Sequence, residues 1–321
     1  MDPARFFAAS RLVIVAGKGG VGKTTVSGVL ARASARSGRA ATILEVDGKS
    51  GLSALFAADP LTYEPTALAD GVQARALTAD DALIEYLGDH GLDRISRRLM
   101  RSGALEVVST AAPGIEDILL LGKVKQLERA AGDDVLVLDA PAAGHAITFL
   151  RAPAALLETV TSGPIHTQAT EALEMLSDPS RTRVVLVTVP EETPVNELVE
   201  TAYRLEDEVG VALGPIIVNG VQPTLTIPDV DPHDAAAAVG VDLSDGDADA
   251  IRHAAAFGRA RAGLQREQLD RLARALPLPQ IHLPELPALT LGVDEVELLA
   301  QALLDGIEGL PVESVAPGTA P

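Results

Sequence analysis

The chain has no cysteine and few aromatic side chains, and both absences narrow its chemistry. Since none of the 321 residues is Cys, disulfides, thiolate zinc sites, iron–sulfur ligation and capture of soft metals by sulfur are excluded. Phe, Tyr and Trp make up 2% of the sequence, although 47% of it is hydrophobic. We therefore expect a core of Ala, Leu and Val, which suits a parallel sheet covered by helices.

Positive charge is also scarce. The sequence has 26 Lys and Arg residues against 45 Asp and Glu, so its formal net charge is −19. This balance argues against binding to nucleic-acid backbones and against electrostatic docking on anionic membranes. No apolar run reaches the length of a membrane span, and the first residues lack a secretory hydrophobic segment. We expect a cytoplasmic protein that neither inserts into a membrane nor binds nucleic acid.

A glycine-rich segment near the start of the chain carries the strongest functional signal. It follows an apolar run predicted to be a strand, Leu12–Ala16, and leads into a predicted helix, Val26–Ser37. In this setting backbone N–H groups surround an anion at the helix N-terminus, and Lys23 reaches the β- and γ-phosphates of a nucleotide. The Thr24 hydroxyl is placed to bind Mg²⁺. The predicted nucleotide-binding residues are Gly17, Lys18, Gly19, Gly20, Val21, Gly22, Lys23, Thr24 and Thr25.

Strand and helix patterns alternate along most of the chain. The predicted strands after the first are Ala41–Val46, Val135–Leu138, Arg183–Val189, Pro215–Val218 and Gln280–Leu283, with a short candidate at Leu105–Ser109. The predicted helices after the first are Ala79–Leu87, Leu92–Arg101, Glu116–Ala130, Ala154–Thr161, Gln168–Leu176, Asn196–Glu208, Ala248–Leu276 and Val293–Gly306. This alternation predicts a doubly wound, mostly parallel α/β sheet.

The domain boundaries follow from the same patterns. We expect one domain over residues 1–308, with a helical insertion at 62–131 where the alternation breaks down. Residues 221–249 contain seven Asp and no Lys or Arg, so we expect a solvated acidic loop there; a Ca²⁺ loop is the alternative, but the spacing differs from an EF-hand. Residues 309–321 are rich in Pro, Gly and small residues and predict a disordered tail.

Two aspartates follow predicted strands at the edge where the glycine-rich segment lies. Asp139 ends Val135–Leu138, where a carboxylate can hold an Mg²⁺-bound water beside the Thr24 hydroxyl; an Asp that caps the strand in a turn is the alternative. Asp47 ends Ala41–Val46 and is our candidate for positioning the water that attacks the γ-phosphate. A helix cap or an outer contact to Mg²⁺ is the alternative for Asp47. The loop after Asp139 contains Gly144 and can adopt two states, with and without the γ-phosphate.

Together these motifs resemble the ArsA/GET family, which contains the arsenite-pump ATPases and the ATPases that deliver tail-anchored membrane proteins. The resemblance extends over residues 11–305. Its blocks are the glycine-rich segment with two lysines, the loop at Asp47, Pro113–Asp117, Asp139–His145, Val218–Asn219 and Leu283–Glu285.

The resemblance implies a nucleotide, a metal and a partner. It implies a dimeric P-loop ATPase that uses ATP and Mg²⁺, with Asp47 and Lys23 in catalysis. Lys18 would cross the dimer interface to the partner's phosphates. Asn219 would bind the adenine edge, and the loop at Pro284 would pack near the base. The dimer would be a homodimer or a heterodimer with a paralogous ATPase.

The client and the type of ATPase stay open at this point. Without cysteine, the thiol site for arsenite and the interchain zinc clamp of the family cannot form. A protein or membrane-protein client is expected, although the helices at 79–130, with Leu83, Leu87, Leu119 and Leu120, favour core packing over a client surface. One alternative is a positioning ATPase like MinD or ParA. The other is a nucleotide-binding regulatory subunit, because Asp47-Gly48-Lys49-Ser50 departs from the family's usual switch sequence.

Overall fold

A computed structural model of the chain describes residues 1–46, 51–89, 114–141, 143–222 and 230–311. Several predicted features lie outside the described residues. They are Asp47 with the rest of its loop, the helix at 92–101, the strand at 105–109, Pro113, most of the proposed tail at 312–321 and part of the acidic segment, 223–229.

Eight strands of the described residues form one sheet. They are β1 (Leu12–Ala16), β2 (Ala41–Val46), β3 (Thr66–Ala69), β4 (Val72–Leu77), β5 (Val135–Asp139), β6 (Thr182–Thr188), β7 (Ile216–Val221) and β8 (Gln280–Pro284). Their order across the sheet is β3-β4-β2-β5-β1-β6-β7-β8, and only the β3–β4 pair is antiparallel. This confirms the predicted mostly parallel α/β sheet.

Helices cover both faces of the sheet. They are α1 (Pro3–Ala8), α2 (Lys23–Arg36), α3 (Gly51–Leu55), α4 (Ala79–Asp89), α5 (Ile115–Ala130), α6 (Ala143–Leu157), α7 (Pro164–Ser177), α8 (Glu192–Arg204), α9 (Pro232–Ala238), α10 (Asp245–Ala275) and α11 (Val293–Glu308). Central strand β1 is buried on both sides: Leu12 and Ile14 pack in one apolar cluster, whereas Val13 and Val15 pack in the other. The doubly wound arrangement is therefore confirmed.

The predicted helical insertion is wrong in its first part. Residues 62–131 contain β3 and β4, and β4 pairs in parallel with β2. In β4, Gln73 and Arg75 alternate with apolar residues, so the short apolar run that identified the other strands is missing. Helices α4 and α5 occupy the described remainder, as predicted.

The predicted acidic loop and tail also need correction. Within 221–249 the chain forms α9 and the first turn of α10. Asp231 caps α9 by accepting from the backbone N–H of His233 at 2.9 Å, and Ser244 caps α10. These residues were read as loop because Asp and Ser favour turns as well as helix N-caps. At the other end, Leu310 is buried, so the tail cannot begin at residue 309.

Candidate nucleotide-binding site

The glycine-rich segment forms a tight loop between β1 and α2, at the carboxyl edge of the sheet. Gly20 and Gly22 have φ values of +86° and +90°, a backbone conformation that side chains oppose. Gly22 is the N-cap of α2, so the loop ends where the helix N–H groups point. A Cβ on Gly17 would lie 2.3 Å from the carbonyl oxygen of Val187 in β6. The backbone therefore has the cradle shape that an anion needs.

Asn219, predicted to bind the adenine edge, lies beside this loop. From β7 its amide Nδ2 donates to the carbonyl oxygen of Val21 at 3.0 Å. The same Nδ2 is 2.3 Å from the position of a Cβ on Gly22. The structure thus brings Asn219 to the P-loop, where it holds the loop backbone. Pro284 ends the neighbouring strand β8, where it pairs with Val221 of β7.

Thr24 and Asp139, the predicted Mg²⁺ ligands, are in direct contact. The Thr24 hydroxyl donates to Oδ2 of Asp139 at 2.7 Å, and Asp139 is fully buried. Ser27, one turn further along α2, donates to Oδ1 at 3.3 Å. Sequence reasoning missed Ser27. The available signal was its spacing, since a hydroxyl three residues after Thr24 lies on the same face of the helix.

A second buried carboxyl group lies next to Asp139. Glu45 of β2 is opposite Asp139 in the parallel β2–β5 pair and is 2% exposed. Partners in register point to the same face of a sheet, here the face that α2 covers. The signal for Glu45 was an acidic residue inside the apolar strand that leads to Asp47. Of the loop at Asp47, the described residue Gly51 lies against Thr24, with 3.1 Å between its ideal Cβ and Thr24 Cγ2.

The two lysines of the loop have different surroundings. Lys23 is 8% exposed, and its Nζ donates to the carbonyl oxygen of Lys18 at 3.1 Å, so its ammonium lies within the loop. Lys18 instead extends to α8, where its Nζ lies 2.6 Å from Oε1 of Glu197. The Lys18 and Glu197 side chains are 35% and 42% exposed. Sequence reasoning missed Glu197, since no local motif links it to the P-loop.

A separate cavity lies among helices that cover the sheet. A space of about 370 Å³ opens between α4, α5 and α7, with Leu83 and Leu119 in its wall. Two ion pairs border it: Lys123 with Glu85 at 2.7 Å, and Lys125 with Glu171. Burial favours a raised pKa for the Glu85 carboxyl, but hydrogen bonds from Lys123 and Tyr63 outweigh it and lower the pKa. The hydrogen bond from Lys125 likewise lowers the pKa of the Glu171 carboxyl, so both carboxylates stay ionised at neutral pH.

Within the described parts of the chain, no three His, Asp or Glu side chains are grouped closely enough to hold a metal ion.

No helix among the described residues has the length and apolar character to cross a membrane.

A methyl group on Gly22 should disable the nucleotide site. In Gly22→Ala the side chain would meet Asn219 Nδ2, and the φ of +90° would also be strained. We expect Mg-ATP binding, measured by calorimetry, to weaken about ten-fold or more, the result of about 1–3 kcal/mol of strain. Gly38→Ala is the matched control, since Gly38 has a similar φ of +89° and a Cβ there contacts nothing within 4 Å. Equal affinity in both variants would contradict the assigned loop geometry.

Comparison with known proteins agrees with this geometry. Residues 10–163 match the model of a family described as anion-transporting ATPase. The chain is 33% identical over 313 residues to the ATPase BagA of Mycobacterium tuberculosis. The aligned part makes up 88% of this chain and 89% of BagA. It is also 30% identical over 200 residues to the arsenical pump-driving ATPase of Acidiphilium multivorum. That alignment makes up 61% of this chain and 32% of the pump-driving ATPase. The chain therefore belongs to the ArsA family of P-loop ATPases.

Proposed function

We propose that this ATPase works as an Mg-ATP-dependent dimer, in which ATP binding closes two subunits and hydrolysis lets them separate. The observation that carries this proposal is the position of Lys18. Its ammonium reaches Glu197 on α8, whereas Lys23 supplies the ammonium inside its own loop. Lys18 is partly exposed and thus accessible to a second subunit. A cation donated in this way would act as an arginine finger does in related phosphoryl transfers.

The side chains at the loop fit Mg-ATP. The positive φ values at Gly20 and Gly22 leave room for phosphate oxygens against backbone N–H groups. Thr24 and Asp139, a hydroxyl and a carboxylate 2.7 Å apart, are the ligand types that Mg²⁺ prefers. When bound there, Mg²⁺ would neutralise charge on the β- and γ-phosphates.

The remaining residues of the proposed site position the attacking water, the adenine base and the Asp139 carboxylate. In this proposal Asp47 positions and polarises the attacking water, as the family resemblance implies. The Asn219 amide moves from Val21 O to the adenine edge, and Pro284 on the next strand packs near the base. Ser27 keeps the Asp139 carboxylate oriented toward Thr24.

The client in this proposal is a protein or a membrane protein, handled in the cytoplasm. The cavity between α4, α5 and α7 supports this, because its wall includes Leu83 and Leu119 beside two ion pairs. An apolar wall with a polar border suits an amphipathic segment of a client. The partner subunit is a second copy or a paralogous ATPase.

Phosphate release with and without two substitutions tests the proposed chemistry. We expect Lys23→Ala and Asp47→Asn each to lower ATP turnover about a hundred-fold, because each removes a charged group placed at the γ-phosphate. Arg5→Ala and Asp305→Asn are the matched controls; both wild-type side chains lie away from the loop, in α1 and α11.

Light scattering with Mg-ATP tests the dimer separately. A mass that doubles on adding Mg-ATP is expected for a homodimer. A chain that stays monomeric alone but dimerises with a paralogue would assign the heterodimer.

ATP turnover that Lys23→Ala and Asp47→Asn both leave undiminished would contradict the proposed mechanism.

A further inference from the structure

Helix α10 buries very little of its surface. It spans 31 residues, Asp245–Ala275, yet only Ala248, Gln265 and Leu272 of these are buried. Most helices in proteins are stabilised by packing one apolar face against a core. A helix this long with so few buried residues is therefore expected to have a packing partner beyond the described chain.

The exposed part of α10 begins at the edge of the sheet that carries the P-loop. Gln265 accepts a hydrogen bond from the backbone N–H of Gln222, directly after β7, at 2.9 Å. Arg261 pairs with Glu285, directly after β8, at 3.2 Å. Residues 245–260 of α10 precede both anchors and form about 24 Å of helix. The helix thus continues past the carboxyl ends of β7 and β8.

This part of α10 forms one unit with α9, which we call the arm (residues 230–264). Arg252 joins the two helices, since it pairs with Asp231 at 2.8 Å and with Asp249 at 2.6 Å. Nε2 of His233 lies 3.3 Å from Asp245. These ion pairs join polar groups within the arm itself.

The apolar side of the arm is exposed. Among the described residues twelve large hydrophobic side chains are exposed, and six of them belong to the arm: Val230, Val239, Val241, Ile251, Phe257 and Leu264. Phe257 and Leu264 are 69% and 62% exposed and lie seven residues apart, so they share a helix face. Apolar patches of this kind mark interaction surfaces.

We propose that the arm is a subunit contact that packs on a second copy of this chain. This inference rests on the proposed function, in which two subunits meet at the P-loop edge. The arm leaves the body at that edge, so a copy facing the P-loop is also the copy nearest to Phe257 and Leu264. A two-fold dimer would use the arm twice, which doubles the apolar area that one helix can bury. The Ala residues at 254–256 allow a close helix-to-helix approach.

Polar substitutions on the arm test this contact in the full chain. We expect the double variant Phe257→Ser with Leu264→Ser to raise the dimer dissociation constant with Mg-ATP at least ten-fold, measured by analytical ultracentrifugation. Its ATP affinity as a monomer should stay within two-fold of wild type, because the arm lies outside the P-loop. Leu298→Ser is the matched control, since Leu298 is equally exposed on α11. Circular dichroism verifies that the variants keep their helices.

A single introduced thiol gives a second measurement, since the chain has no cysteine of its own. In Phe257→Cys we expect the thiol to react with a maleimide at least five-fold more slowly when Mg-ATP is present. In Leu298→Cys the rate should not change.

The outcomes separate the two proposals. A wild-type chain that stays monomeric with Mg-ATP contradicts the homodimer and, with it, the arm contact. A dimer of unchanged affinity in the double variant, with an unprotected thiol, overturns only the arm contact. Cosedimentation with vesicles of anionic lipid that the two serines abolish would assign the arm to a lipid surface and would also overturn it.

Discussion

Replacing Asp139 with asparagine is expected to lower ATP turnover about a thousand-fold, because it removes a buried negative charge from the proposed Mg²⁺ position, and losing one such electrostatic contributor costs about 10²–10³ in kcat. Asp139 is fully buried and accepts from the hydroxyls of Thr24 and Ser27. Asparagine keeps the shape of the side chain but removes its charge, so the proposed Mg²⁺ position loses its only described carboxylate contact to Thr24. The measurement is kcat from phosphate release at saturating Mg-ATP.

Two controls separate chemistry from stability in this experiment. Asp134→Asn changes an exposed aspartate just before the same strand and should leave kcat unchanged. Ser27→Ala should cost less than Asp139→Asn, because the Ser27 contact to Asp139 is the longer of the two, at 3.3 Å. An Asp139→Asn variant that melts like wild type and keeps turnover within three-fold would remove Asp139 from the site.

Local patterns were sufficient to predict the centre of the sheet. The five apolar residues of β1 and the run that forms β5 are buried on both faces, so each reads as a short hydrophobic block. The loop between β1 and α2 was identified because its glycines, Lys23 and Thr24 lie next to one another in the chain. Features of this kind depend on neighbouring residues and are visible without the fold.

Features that depend on distant pairing were missed. Strand β4 has an alternating pattern with Arg75 inside it, and it is a strand because β2 offers a parallel partner. Glu197 lies 179 residues from Lys18, so only the fold brings their charges together. The sequence pattern predicts the helix of α10 from Ala248 onward, but α9 and the first residues of α10 have the composition of a loop, because helix caps and acidic first turns use the same residues as turns.

Removing the Lys18 ammonium should have one of the largest effects on turnover, although in the described chain the Lys18 side chain extends to α8. We expect Lys18→Ala to lower kcat about 10³-fold or more, the range found when a cation donated to phosphoryl transfer is lost. Binding of Mg-ATP to the monomer should persist, because Lys23 stays within its own loop. Calorimetry of the monomer and phosphate release by the dimer measure the two effects separately.

Glu197→Gln should favour ATP-dependent dimerisation, in contrast to the loss of turnover expected for Lys18→Ala. In the described chain Glu197 holds Lys18 at 2.6 Å, and in the proposed dimer Lys18 would leave Glu197 to reach the partner's phosphates. Since both side chains are partly exposed, each pair contributes about 0.2–1 kcal/mol. A symmetric dimer would break two such pairs, so their loss should strengthen ATP-dependent dimerisation by up to about thirty-fold. Glu200→Gln, on the exposed surface of the same helix, is the control. Weaker dimerisation in Glu197→Gln would mean that Glu197 supports the contact.

Mixing two inactive variants decides which subunit Lys18 serves. Lys18→Ala subunits keep Lys23, and Lys23→Ala subunits keep Lys18, so neither homodimer has a complete site. If Lys18 acts across the interface, each mixed dimer contains one complete site, and an equal mixture should recover about a quarter of wild-type turnover by random pairing of a symmetric dimer. If Lys18 acts within its own subunit, no mixed site is complete and the mixture stays inactive. Recovery therefore requires a lysine donated by the neighbouring subunit.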